Sequence, residues 1–99
     1  MSSKLASHSI VAAAKDQIFC ALGEEAVILN LKNGVYYGLD AVGSRIWAHV
    51  QEPKTVNEIR DALLNEFDVE GRLLENDLRA LLEELAAEGL IEVKDETSA

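Results

Sequence analysis

The chain has 99 residues, 48% hydrophobic and 27% charged, with a formal net charge of −9 and a pI near 4.5. That length supports one domain with a modest core, and the shortage of Lys and Arg argues against a phosphate-binding surface, so basic peptides are expected as partners and nucleic acid is not. A lone cysteine, Cys20, allows no internal disulfide, no basic-then-apolar signal opens the chain, and no apolar run approaches the roughly 20 residues that span a bilayer, which together predict a cytoplasmic protein with no membrane partner.

The Ser-containing start, residues 1–9, is expected to be loose, with the ordered domain over 10–93 and a frayed polar tail over 94–99. The first periodic features are three extended segments at about 17–22, 25–32 and 35–39. Asn33-Gly34 separates the last two and is a strong hairpin signal, since both central residues of a type I′ turn need positive φ and Asn and Gly tolerate it best. Gly23-Glu24 offers a second turn one strand earlier, and the sum is a three-stranded antiparallel meander.

A two-residue turn at Asn33-Gly34 would pair Lys32 with Val35, Leu31 with Tyr36, Asn30 with Tyr37 and Ile28 with Leu39. Val27, Leu29, Leu31 and Tyr36 then share one face, and Ile28, Val35, Tyr37 and Leu39 the other. Neither face is polar, so both need cover. Candidates for the second cover are the N-terminal arm around Ile10-Val11, a second copy of the chain, or a bound partner. The last strand also lacks Pro, Lys or an inward charge, the usual protection of a sheet edge, so it is open to pairing unless a helix, the arm or a dimer mate covers it.

From Asp40 the hydrophobic period lengthens to about 3.6. Val42, Ile46 and Val50, with Trp47 beside them, define a first helix capped by Asp40 and stopped by Pro53. Thr55-Val56-Asn57-Glu58 is a capping box opening a second helix with the stripe Val56, Ile59, Leu63 and Phe67. A third helix, about Glu70 to Glu88, carries Leu74, Leu78, Leu81, Leu82 and Leu85, and Gly89 is placed for a left-handed cap before a short extended segment, Leu90–Val93. Three strands followed by three helices make an α+β fold.

Catalytic constellations are missing. The chain has no glycine-rich phosphate loop, no Gly-x-Ser-x-Gly elbow and no His-Glu-x-x-His pair. Cys20 reads as a strand residue, and with His8 and His49 it has no zinc-ligand spacing, so neither an enzyme nor a metal or cofactor site is expected. Trp47 and the third-helix carboxylates read as core and solvated face. Tyr36 and Tyr37 differ, because alternation sends them to opposite faces of an edge strand and at least one must lie near the surface or in a groove.

The run Glu25-Ala26-Val27-Ile28-Leu29-Asn30-Leu31, then Gly34, Tyr36-Tyr37-Gly38-Leu39-Asp40, Gly43 and Ile46-Trp47, with Leu82-Glu83-Glu84-Leu85 and Gly89-Leu90-Ile91 downstream, resembles the PqqD-like family, most of all the free-standing members of lasso-peptide biosynthesis. The resemblance covers about residues 10–93 and departs at Asp40, where similar sequences often carry Asn. It implies a winged-helix-like element that recognises the leader of a ribosomally made precursor peptide. The leader would add as a strand to Val35, Tyr36, Tyr37, Gly38 and Leu39, against a third-helix side formed by Asp77, Leu78, Leu81, Leu82 and Leu85. A leader-cleaving cysteine protease is the implied second partner, and the chain is expected to be a monomer or a weak, strand-swapped dimer. Two alternatives stand beside this: a PqqD-like peptide chaperone for another modification pathway, and a winged-helix DNA-binding regulator. The second is opposed by the charge of the third helix, where Arg72 and Arg79 face Glu75, Asp77, Glu83, Glu84 and Glu88.

Overall fold

The computed structural model describes residues 5–6, 8–67 and 70–94. Six strands and three helices alternate through them: β1 (Ile10–Ala13), β2 (Gln17–Leu22), β3 (Glu25–Asn30), β4 (Val35–Leu39), α1 (Ala41–His49), β5 (Lys54–Thr55), α2 (Val56–Glu66), α3 (Gly71–Ala87) and β6 (Ile91–Lys94). The fold is α+β. The expected meander is present as β2-β3-β4, antiparallel throughout, but a second antiparallel sheet of order β5-β1-β6 stands beside it.

That second sheet removes the N-terminal arm from the three candidate covers of the meander. Ile10 and Val11 do not cover the meander; they pair with Lys94 and Val93 of β6 on one side and with Thr55 and Lys54 of β5 on the other. Val11 is fully buried, and Leu5, inside the segment expected to be loose, joins the same core. Ser9 helps hold it there, its Oγ accepting from the Ala6 N–H at 3.0 Å. Residues 1–4 and 7 of that start, and 95–99 of the expected tail, lie outside the described residues.

Helix boundaries follow local side-chain chemistry. Asp40 Oδ1 accepts from the Gly43 N–H at 2.8 Å and starts α1. Thr55 and Glu58 form the reciprocal capping box of α2, at 3.1 and 2.9 Å. Such a cap stabilises a helix by about 1 kcal/mol. α3 ends in a Schellman motif: Gly89 takes φ +76°, its N–H donates to the Ala86 carbonyl at 3.0 Å, and the Leu90 N–H donates to the Leu85 carbonyl at 2.9 Å. Leu85 and Leu90 are both buried, which supplies the apolar contact that accompanies this cap.

The β3–β4 connection is where the register departs from expectation. Asn30 pairs with Val35, Leu29 with Tyr36, Ile28 with Tyr37 and Ala26 with Leu39, two residues away from the pairing of a tight Asn33-Gly34 turn. Leu31 to Gly34 instead form a four-residue loop. The Gly34 N–H donates to the Asn30 carbonyl at 2.7 Å, the Lys32 N–H to Asn30 Oδ1 at 2.9 Å, and the Val35 N–H to Asn33 Oδ1 at 2.9 Å, with only Gly34 in the left-handed region at φ +72°. Because strand alternation has period two, a two-residue shift leaves every side chain on its expected face.

Ala26, Ile28, Leu39 and half-buried Tyr37 therefore face the helices, where Ile46, Trp47, Ile59, Leu63, Leu78, Leu82 and Leu85 complete the core. Asn30 is one of few buried polar residues, 7% exposed, and donates through Nδ2 to the Glu88 carbonyl at 3.0 Å. That bond satisfies a terminal helix carbonyl and pins the β3–β4 hairpin to the end of α3.

Candidate functional site: a strand edge beside a groove

β4 hydrogen-bonds to β3 on one side and to no other strand among the described residues. Every second residue along its free side turns a backbone N–H and C=O outward, a template for one more strand. Val35, Tyr36 and Gly38 are exposed, Tyr36 at 69%, while the Leu39 side chain is buried.

Beside this edge runs α3. The two are tied by the Tyr37 hydroxyl, which donates to Glu84 Oε1, and the neighbouring β3 is tied to the same helix end by Asn30, which donates to the Glu88 carbonyl. Burial first, then the hydrogen bond to Glu84 and the negative charges of Glu84 and Glu88, push the Tyr37 phenol up to about 12. It therefore stays a neutral donor at physiological pH. Beyond these ties a groove of about 540 Å³ opens between α1 and α3, walled by Val42, Ile46, Leu73, Leu74 and Leu81 and edged by Asp40, Glu70 and Asp77. Its lining holds no Lys or Arg. An apolar side chain would lose water there, and a neighbouring cationic group would meet the three carboxylates.

The structure brings some predicted α3 residues to this groove and removes others. Asp77 and Leu81 line it. Leu78, Leu82 and Leu85 are fully buried and hold α3 onto the core, so they are not accessible to a peptide in the groove. The contributions of Val42, Ile46 and Leu73 were not foreseen. Leu73 did carry a signal: 59% exposed, it interrupts the polar side of an amphipathic helix. Glu84 carried none, because its role depends on Tyr37 arriving from another element.

Elsewhere the polar chemistry is structural. Glu66 accepts from Arg45 Nε and Nη2 at 3.1 Å and lies 3.0 Å from His49 Nε2, and these contacts, led by Arg45, hold its carboxyl below the ordinary range. Among the described residues no group of three or more His, Cys, Asp or Glu is placed to hold a metal ion, and no helix is long and apolar enough to cross a membrane. On α3, Arg79 Nε bonds Glu75 at 3.2 Å and its guanidinium also donates to the Leu5 carbonyl, which occupies one of the two cations a DNA-reading helix would need.

Comparison with known proteins agrees with this geometry. The family described as "Coenzyme PQQ synthesis protein D (PqqD)" matches residues 25–91, from β3 through the start of β6. A solved structure, TbiB1 in complex with the TbiA(beta) leader peptide, is similar at 41% sequence identity and a TM-score of 0.74, covering 82% of this chain and 94% of that one. No curated protein shows a significant match. With the β3–β4 hairpin and all three helices inside the matched region, the chain belongs to the PqqD family.

Proposed function

We propose that the protein is a non-catalytic recognition element that binds the leader of a ribosomally made precursor peptide, of the lasso type, and delivers it to a leader-cleaving cysteine protease in the cytoplasm. The observation that carries this reading is the unprotected β4 edge beside an apolar, acid-rimmed groove. The similarity to a protein solved with a leader peptide supports it. The leader would pair along Val35, Tyr36, Tyr37, Gly38 and Leu39. An apolar leader side chain would enter the groove at Leu81 and Asp77, and a Lys or Arg beside it would face Asp40, Glu70 and Asp77. Backbone pairing supplies affinity and the groove supplies choice. Holding the leader on one protein that also holds the protease raises the effective concentration of the cleavage site.

The test is a fluorescence-anisotropy titration of the monomeric protein with the labelled leader from its own gene cluster, against a scrambled leader. Saturable, sequence-dependent binding that Tyr37→Ala weakens by about tenfold, the scale of one interface anchor, is expected. A folded protein that binds neither peptide would refute the role.

A further inference from the structure

Phe19 faces the core yet is open to solvent. It pairs with Ile28 and shares that residue's face of the meander, but Ile28 is fully buried while Phe19, stacked on Trp47, is 45% exposed. The space beside it is a cleft of about 460 Å³ between the β2–β3 turn, α1 and the end of α2. Phe67, Ala41 and Ala48 supply its other apolar walls. Ser44 lines it too, with an Oγ that is buried and has no hydrogen-bond partner among the described residues. A concave, aromatic-walled space of this size is built to take one large apolar side chain.

The cleft lies on the other side of α1 from the groove described above. Val42, Gly43 and Ile46 line the groove, whereas Ala41, Ser44, Arg45 and Ala48 line the cleft. The two connect around the start of the helix. A shallower hollow of about 280 Å³ crosses the end of the sheet between Leu22, Glu25, Ala26, Leu39 and Asp40. Asp40 edges the groove as well, and Leu22 and Glu25 flank Gly23 and Glu24 of the cleft. Groove, hollow and cleft therefore form one track.

The occupant follows from continuity and charge. The meander is antiparallel throughout, and a strand added to β4 in the same sense begins beside Leu39. Its N-terminal flank thus leaves at the mouth of the track. Three strand spacings, about 14 Å, separate the added strand from β2, a distance that four or five extended residues cover. Glu24, Glu25 and Asp40 line the way, and among the described residues no Lys or Arg pairs with them. Arg45, at the cleft, is already held by Glu66 through two bonds of 3.1 Å. A second copy of the chain fits less well, since it would bring another net charge of −9 against these carboxylates.

Resting on the function proposed above, we infer that the leader extends past β4, its N-terminal flank wrapping the start of α1 and placing an apolar side chain between Phe19 and Phe67. That side chain belongs to a residue about five positions before the segment paired with β4, the span set by the strand spacing. Lys or Arg between the two faces Asp40, Glu25 and Glu24. The peptide's C-terminal continuation leaves from the other end of β4, beside Val35, so the wrap anchors the leader without obstructing its cleavage.

Ala48→Phe fills the cleft from an exposed helix position, and Glu24→Lys reverses a charge on an exposed turn. Both are titrated by anisotropy, beside native protein, with the C-terminally labelled leader from its own gene cluster and with leaders shortened stepwise from the N-terminus. Circular dichroism checks that each variant is folded, and sedimentation equilibrium gives its mass. Native protein should lose about tenfold in affinity when the flank is removed. Ala48→Phe should lose about tenfold for the full leader and bind the shortened leader within about twofold of native, the non-additivity expected of two changes to one contact. Glu24→Lys should follow the same pattern with a loss of about threefold. Affinity that is indifferent to the flank, or a folded Ala48→Phe that binds the full leader as native does, overturns the inference. So does an equal loss for full and shortened leaders, which would place the effect in the β4 groove, or a dimer of the native protein that Ala48→Phe dissociates. Native protein that binds no leader of any length refutes the function itself, a result distinguishable from all of these.

Discussion

Asn30→Ala probes the joint between the hairpin and the groove. The side chain is 7% exposed and makes two bonds, donating to the Glu88 carbonyl at 3.0 Å and accepting from the Lys32 N–H at 2.9 Å. Each is worth about 1 kcal/mol net, and truncation adds a small cavity, so a loss of about 2–3 kcal/mol is expected. The full penalty of an orphaned carbonyl does not apply, because Glu88 is exposed and its C=O can turn to water. Urea unfolding followed by Trp47 fluorescence should show a lower midpoint at unchanged slope, and the thermal midpoint should fall by about 10–20 °C for a domain of this size. Asn30→Asp sharpens the test. It keeps the acceptor for Lys32 but aims an anionic oxygen at the Glu88 carbonyl, so at neutral pH it should be less stable than Asn30→Ala. Burial and that repulsion raise the folded pKa of the new carboxyl, so its excess instability disappears in acid, once protonated, relative to native protein at the same pH. A cost for Asn30→Ala below about 0.5 kcal/mol, the level of an ordinary surface change, would refute the claim that this bond anchors the hairpin to α3.

In an alkaline absorbance titration, Tyr37→Phe should abolish the tyrosine ionisation centred near pH 12. Because that phenol is raised above its ordinary 10.0, its contribution to stability is complete below pH 10 and declines as pH rises from 10 towards 12. Leu78→Ala should destabilise the fold by about 2–5 kcal/mol in urea, whereas half-buried Leu81→Ala should cost less stability and instead reduce leader affinity; the reverse pattern would move the groove. Gly34→Ala should cost about 1–2 kcal/mol in the same assay purely through its positive φ, since a Cβ there meets no neighbour, and a neutral result would contradict the loop conformation.

What could be read from the chain was whatever a short stretch decides for itself. Asp40, the Thr55/Glu58 box and Gly89 act within one helical turn, and each caps as its residue type predicts. The open β4 edge was legible as the lack of a blocking residue. The second sheet was not, because β5 has two residues and β1 finds β6 some 80 positions later in the chain, so neither period nor turn chemistry announces the pairing. Asn33-Gly34 misled about loop length because Asn30 competes as a turn former, accepting the Lys32 N–H and ending the strand early. On α3, leucine suits a core and a peptide groove equally well. Only packing separates Leu78, Leu82 and Leu85, turned into the core, from Leu81 and Leu73 at the rim.

The pairing of Ile10 with Lys94 puts the entry and exit of the domain side by side on one short sheet. The strands that hold them, β1 and β6, belong to the sheet that does not contain β4. A longer polypeptide could therefore enter and leave here as through a single port, with the β4 edge undisturbed by what lies on either side. The same arrangement suits a freely diffusing adaptor, a fusion to an enzyme at either end, or an insertion within one. Joining the two ends by a short linker and opening the chain elsewhere should give a circular permutant with the same β4 edge.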